Sequence, residues 1–384
     1  MKEKREKLKN PYWVMSRGGV VACSILTLLL PAGLLLIHLA KSAPAVTERL
    51  YSLGWYRTIA AGLMTLTSRA SVSFMEIILL LLGAAALAYL VFWVIELIWH
   101  HREWWKICLK RLWILAAVCC GVFFYFVAVG DLNYYRIPVG TSLGLAAEKT
   151  DETVLQSLCE LLAKDANTYR ETAAEDKNGV FTLRDDYNTL AKKTSLAVAE
   201  LDQQFGVNLF SPAAATRPKA MYFSEVMSYL RLTGVIFPYI MEANINVSQP
   251  DYGIPSTMCH ELSHICGYMR EDEANFISYL ACLGSGDRDL GYSGTMLALI
   301  YSTNQLYRVN PQAWEVVRAQ LSEAVRRDLA DNSRYWAKYD TPVGDSATGV
   351  NDAYLKANDQ ADGVQSYGRM VDLLIAYYRA AGVI

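Results

Sequence analysis

The sequence predicts a mainly α protein: three N-terminal transmembrane helices, at about residues 19–40, 77–99 and 112–130, then an α+β domain over 131–384 with a short edge β-sheet. Three observations carry this. Long apolar runs fill the first third of the chain, and the charge balance changes sign after them. Beyond residue 130, helical periodicity is broken once by a β-rich stretch containing a proline.

Gly19–Ala40 contains no Asp, Glu, Lys or Arg and is long enough to cross a bilayer. Ile77–Trp99 holds one charge, Glu96, and Leu112–Gly130 holds none. The first run is too long for a signal peptide and lacks a small-x-small cleavage pattern. Pro31 and Gly33 are places where the first span can kink. Residues 1–130 carry 14 Lys+Arg against 6 Asp+Glu, a balance of +8, and the remainder carries 22 against 32, a balance of −10. Residues 1–18 hold six Lys/Arg, and the stretch His100–Arg111, read as a short loop, holds four more. The positive-inside rule then places the N-terminus in the cytoplasm and residues 131–384 outside it, in a multi-pass protein of the cell membrane. Trp99, Trp104, Trp105 and Trp113 fit an interfacial belt. Tyr51–Arg69, moderately apolar, is expected on the outer surface or packed under the soluble domain.

Four of the eight cysteines lie in or beside the spans; Cys159, Cys259, Cys266 and Cys282 do not. Their spacing matches no disulfide framework, so they read as small buried residues. Ala146–Ala173, Leu183–Phe205 and Met221–Leu232 have amphipathic helical spacing. Gly234–Val247 changes to β-branched and aromatic residues around Pro238, which predicts two short strands or one bent edge strand. Such an edge is where an extended peptide could add itself by main-chain hydrogen bonds. Later helices are expected near Asp272–Leu283, Thr295–Val309, Ala313–Leu329 and Ser366–Ala380, with a polar loop at Asp340–Asn351.

Between the strands and these helices lies His260-Glu261-Leu262-Ser263-His264, an H-E-x-x-H sequence. Four residues apart on a helix, the two imidazoles share one face and can share a metal ion, expected to be Zn2+. Glu261, about 100° round, can reach a water on that metal without displacing a ligand. Pro255-Ser256-Thr257 is a plausible helix start and Gly267 a plausible stop. A catalytic zinc takes three protein ligands. The other histidines, His38, His100 and His101, lie in or beside apolar runs, so the third ligand is expected to be a carboxylate. Glu271, Asp272 and Glu273 open the next helix. Glu271 and Asn275 share a face there, whereas Glu273 lies about 200° from Glu271. Glu271 is preferred as ligand with Glu273 as the alternative, and Asn275 is the expected hydrogen-bonding partner behind the metal. With no spare histidine, the donor to a developing oxyanion must be a tyrosine or an arginine; Tyr292, Tyr367 and Arg369 are the candidates.

Glu271-Asp272-Glu273-Ala274-Asn275 resembles the E-x-x-x-D/N signature of gluzincin peptidases such as thermolysin, although here the histidines and the glutamate are much closer. More broadly, the chain resembles the bacterial DUF3810 family of multi-pass membrane proteins. The stretches that carry the likeness are Val46–Ser52, Leu132–Arg136, 260–276, Asn351–Lys356 and Ser366–Arg369. It implies a zincin-like metallopeptidase domain and favours Glu271 as ligand with Asn275 beside it. The expected activity is zinc-dependent hydrolysis of peptide bonds, with Glu261 activating the water and with peptide or protein substrates in the cell envelope. The alternative is a non-catalytic, metal-stabilised binding or sensing module. No nucleic-acid partner is expected.

Overall fold

The computed structural model describes residues 15–145, 151–358, 360 and 368–384. It is mainly helical, with five short strands among the described residues. The chain forms two compact units. One comprises the chain up to Ala43 and Ile77–Leu132; the other comprises Pro44–Glu76 and Asn133–Ile384.

The three long apolar helices are Arg17–Ser42, Phe74–Trp99 and Trp104–Val129, each 26 residues and long and apolar enough to cross a membrane. The first runs unbroken through Pro31. It packs on the third through small residues: a Cβ at Gly33 would lie 3.1 Å from Phe123, and one at Gly121 only 2.9 Å from Leu26. The third helix begins eight residues earlier than its apolar run, so most of the basic residues expected in a loop are helical. The reason is electrostatic. Lys110 and Arg111 reach Glu96, the lone charge of the second apolar run, at 2.5 and 2.8 Å, and the connection shrinks to His100–Glu103.

In the second unit, the segment around Tyr51–Arg69 is helical and built into the core. A π-helix, Thr47–Trp55, continues into the α-helix Tyr56–Thr67, and Tyr56 is fully buried. Helices Glu152–Arg170 and Tyr187–Phe205 start at the aspartate caps Asp151 and Asp186. Strands β1 (Ala174–Glu175) and β2 (Phe181–Thr182) form a hairpin between them. Met221–Leu232 is not one helix; only Ser224–Tyr229 is helical, after strand β3 (Lys219–Ala220). The Gly234–Val247 stretch does give two strands, β4 (Gly234–Phe237) and β5 (Glu242–Ile245), with Pro238 in the turn between them. The sheet order is β3-β5-β4: β5 is central and buried, β3 pairs with it in parallel, and β4 is an antiparallel edge.

The helix Gly253–Ile265 packs on β4 and β5, and the helices around it bury a continuous apolar core. Asp340–Asn351 is no loop: Thr341 caps a helix from Pro342 to Ala357, with the proline at the first position where its missing N–H costs nothing. The Ala313–Leu329 region is two helices, Pro311–Gln320 and Glu323–Ala337. The last helix is described from Gly368 to Ala380.

Candidate metal centre

The helix carrying both histidines runs from Gly253 to Ile265, two residues ahead of its expected start. Its end is a Schellman turn. Gly267, at φ +85°, lets its own N–H reach the His264 carbonyl (2.9 Å) and the Tyr268 N–H reach the Ser263 carbonyl (3.1 Å). Reversed this way, the chain begins the next helix, Glu271–Gly284, so that its first side chain faces the histidines.

His260 Nε2 and His264 Nε2 lie 3.1 Å apart. Glu271 Oε2 is 3.2 Å from His260 Nε2, and Glu271 Oε1 is 3.7 Å from His264 Nε2. One donor atom from each residue falls within 4.8 Å of the others. Both Nδ1 atoms are engaged behind the cluster, His260 with Asn275 Oδ1 at 2.8 Å and His264 with the Tyr268 carbonyl at 2.7 Å. Those acceptors hold a proton on each Nδ1 and aim each Nε2 lone pair inward, the orientation of a metal-binding histidine. The cluster collects positive charge. Burial, with His260 alongside, lowers His264 to about 4 and leaves it neutral. Burial also disfavours a charged His260, but the Glu271 carboxylate outweighs that and carries the ring up to about 9. A divalent ion at the same point would supply that charge instead of a proton.

Two imidazoles and one carboxylate are a donor set that suits zinc. Glu261 fits as well. It is buried beside the cluster, and its Oε2 has no hydrogen-bond partner. Burial, reinforced by Glu271, raises its pKa to about 8, with His260 and a bond from the Ile236 amide pulling the other way. The edge strand lies directly on it: a Cβ at Gly234 would meet Glu261 Oε1 at 2.6 Å and Thr257 Cγ2 at 2.7 Å. Only glycine lets β4 approach so closely.

The other sequence candidates separate. Glu273 turns away from the cluster, as 200° of helix rotation requires, and its Oε1 accepts from the Val139 amide at 2.9 Å. Tyr292 is buried with its hydroxyl committed to Asp328 at 2.6 Å, in a network with Arg170. It is a packing residue, not a donor to the cluster. Arg369 pairs with Asp272 at 3.0 Å. Tyr367 lies outside the described residues.

Several contributors had no readable spacing. Tyr301, on the helix Arg288–Val309, lies near Asn275 and within the field of the Glu271 carboxylate. Burial and the Glu271 charge push it up to about 12, so it is a protonated donor at neutral pH. Tyr56 donates to the carbonyls of His264 and Ile265, both at 3.0 Å, satisfying the end of the histidine helix. Arg136 donates to the Cys266 carbonyl at 3.0 Å and lies over the Tyr268 ring, 3.9 Å from its centroid. Cys159, Cys259, Cys266 and Cys282 are buried free thiols; Cys259 and Cys282 touch at 3.8 Å.

The molecule is thus a mainly helical protein with three membrane-length apolar helices and a partly buried His–His–Glu cluster beside an edge strand. Residues 51–375 match the family described as a protein of unknown function (DUF3810), and the chain belongs to that family. No curated protein and no solved structure matches it.

Proposed function

We propose that this chain is a membrane-anchored, zinc-dependent metallopeptidase whose second unit is zincin-like and lies outside the cytoplasm, where it cleaves peptide bonds of envelope proteins or peptides. The observation that carries the reading is the convergence of His260, His264 and Glu271 on one point, with the Glu261 carboxylate beside it, its Oε2 without a hydrogen-bond partner among the described residues. His260, His264 and Glu271 would hold the ion, with Asn275 and the Tyr268 carbonyl fixing the imidazoles. A bound zinc supplies Lewis-acid polarisation of a carbonyl and makes water easier to ionise.

The chain's own residues supply the remainder. β4, a half-buried strand at the edge of its sheet, would offer main-chain groups to an extended peptide, which would lay its backbone across Glu261. Glu261 takes a proton from the attacking water and returns it to the leaving amine, a general-base and then general-acid role. Tyr301, held protonated, is the donor for the developing oxyanion, the role first assigned to Tyr292, Tyr367 and Arg369.

The test is metal content and peptidase activity of the full chain, for wild type, His264→Ala and Glu261→Gln. We expect about one zinc per wild-type chain, its loss in His264→Ala, and in Glu261→Gln an unchanged metal content with no activity. A folded wild type without metal defeats the reading. Metal with no activity that depends on Glu261 would leave a metal-stabilised binding module.

A further inference from the structure

The short helix Ser224–Tyr229 is inside out for a helix facing water. It buries Ser224, Met227 and Ser228, while Val226 is 54% exposed. The two residues before it are large and aromatic, and Tyr222 is 87% exposed. The serines are inside because they hold the chain: Ser224 Oγ accepts from the Val247 amide at 2.9 Å, and Ser228 Oγ accepts from Asn246 Nδ2 at 2.9 Å. Scattered exposed apolar residues need no explanation, but a contiguous group beside buried hydroxyls does.

Its neighbour says what covers it. The first turn of the apolar helix Phe74–Trp99, residues 74–76, belongs to the same compact unit as this segment. Glu76 accepts from the amides of Tyr222 (3.0 Å) and Phe223 (2.7 Å), so both aromatic residues stand beside the start of that helix. Glu242 on the central strand caps the same turn through the amides of Phe74 (3.2 Å) and Met75 (2.9 Å). Met75 packs with Met221 and Met227 underneath. At 26 residues the helix is ~39 Å long, whereas a hydrocarbon core of ~30 Å takes about 20 residues and leaves about three at each end. Residues 74–76 therefore fall at the membrane–water boundary, and Tyr222 and Phe223 fall there with them. Val72, two residues before the helix and 54% exposed, adds to the same surface, and Lys219 donates to the Ala70 carbonyl to hold the two segments side by side. Exposed Arg69 and Arg217 flank it.

We propose that Tyr222, Phe223 and Val226, with Val72, form a foot seated in the headgroup–acyl boundary of the bilayer at the Phe74 end of that helix, with Arg69 and Arg217 meeting anionic headgroups. Tyrosine and phenylalanine suit that boundary because a ring can enter the acyl region while polar groups stay wet. This holds whether or not the metal centre is catalytic.

The test is lipid photocrosslinking. The full chain carries benzoylphenylalanine at Tyr222 or, separately, at Val226, and is reconstituted into nanodiscs of phosphatidylcholine and phosphatidylglycerol. Val350 and Val309, exposed on the same unit, serve as controls. After irradiation, mass spectrometry should find lipid adducts at 222 and 226 about tenfold above both controls. Adducts at control level at both positions would overturn the proposal. So would crosslinks from 222 and 226 to a second copy of the chain in place of lipid.

Discussion

Glu48 and Arg136 form a buried two-point ion pair, Nη2 to Oε1 at 2.6 Å and Nε to Oε2 at 2.9 Å, and the remaining arm of the guanidinium holds the turn that carries the candidate ligands. The two residues lie 88 positions apart, in two of the four stretches that resembled the family away from the histidine motif. Both are buried, so removing one leaves an uncompensated charge in a dry site. Glu48→Ala should cost about 3–5 kcal/mol of stability, measured by thermal or denaturant unfolding in detergent. It should also loosen the Cys266 turn and lower zinc retention. A change below about 1 kcal/mol would mean that the pair behaves as a surface one.

Asn275 meets the cluster at His260 Nδ1. Asn275→Ala removes that acceptor and lets the ring rotate and exchange tautomers. Zinc affinity should fall by about 10–100-fold, read by competition with a chromogenic chelator, while the fold is retained. Unchanged affinity would mean that helix packing alone orients His260.

Gly234 separates metal binding from activity. A methyl group there would collide with Glu261 Oε1 and Thr257. Gly234→Ala should displace β4 or Glu261 and reduce kcat/KM by at least about tenfold, the scale expected when a general base is misplaced. Bound zinc should stay at the wild-type level, because no ligand lies on the strand. Loss of zinc would show that the strand supports the histidine helix as well.

Tyr301→Phe keeps the ring and removes only the hydroxyl. If that hydroxyl stabilises the oxyanion, kcat should drop about 10²-fold or more, with little change in KM or in zinc content. Tyr292→Phe should instead lower stability and leave kcat alone, since its hydroxyl serves Asp328.

How far the sequence could be read depended on how local each feature is. The spans, the strand pair around Pro238, the helix stop at Gly267 and the His–His–Glu geometry each follow from neighbours within a dozen residues, and periodicity or rotation angle captures those. The eight-residue misplacement of the third span came from treating Lys110 and Arg111 as loop residues, when Glu96 across the hairpin holds them in a helix. The polar run after Asp340 concealed a helix because a Thr-Pro start is brief and its packing is distant. Tyr301, Tyr56 and Arg136 reach the site from far along the chain, and nothing in local spacing directs a tyrosine 26 residues away toward Asn275. Proximity in sequence to glycine and serine likewise says little about which group takes a hydroxyl: Tyr292 donates to Asp328.

The reversal at Gly267 has a consequence for how such a site assembles. His260, His264 and Glu271 fall within twelve consecutive residues. An ion that engages all three closes a loop so short that the entropy cost of gathering them is small and is settled by one helical hairpin. Glu261, by contrast, depends on a strand more than twenty residues earlier and Tyr301 on a helix thirty residues later. On the proposed function, loading and competence would therefore separate in time: a hairpin could capture its ion before the sheet has formed, and reactivity would wait for the distant segments.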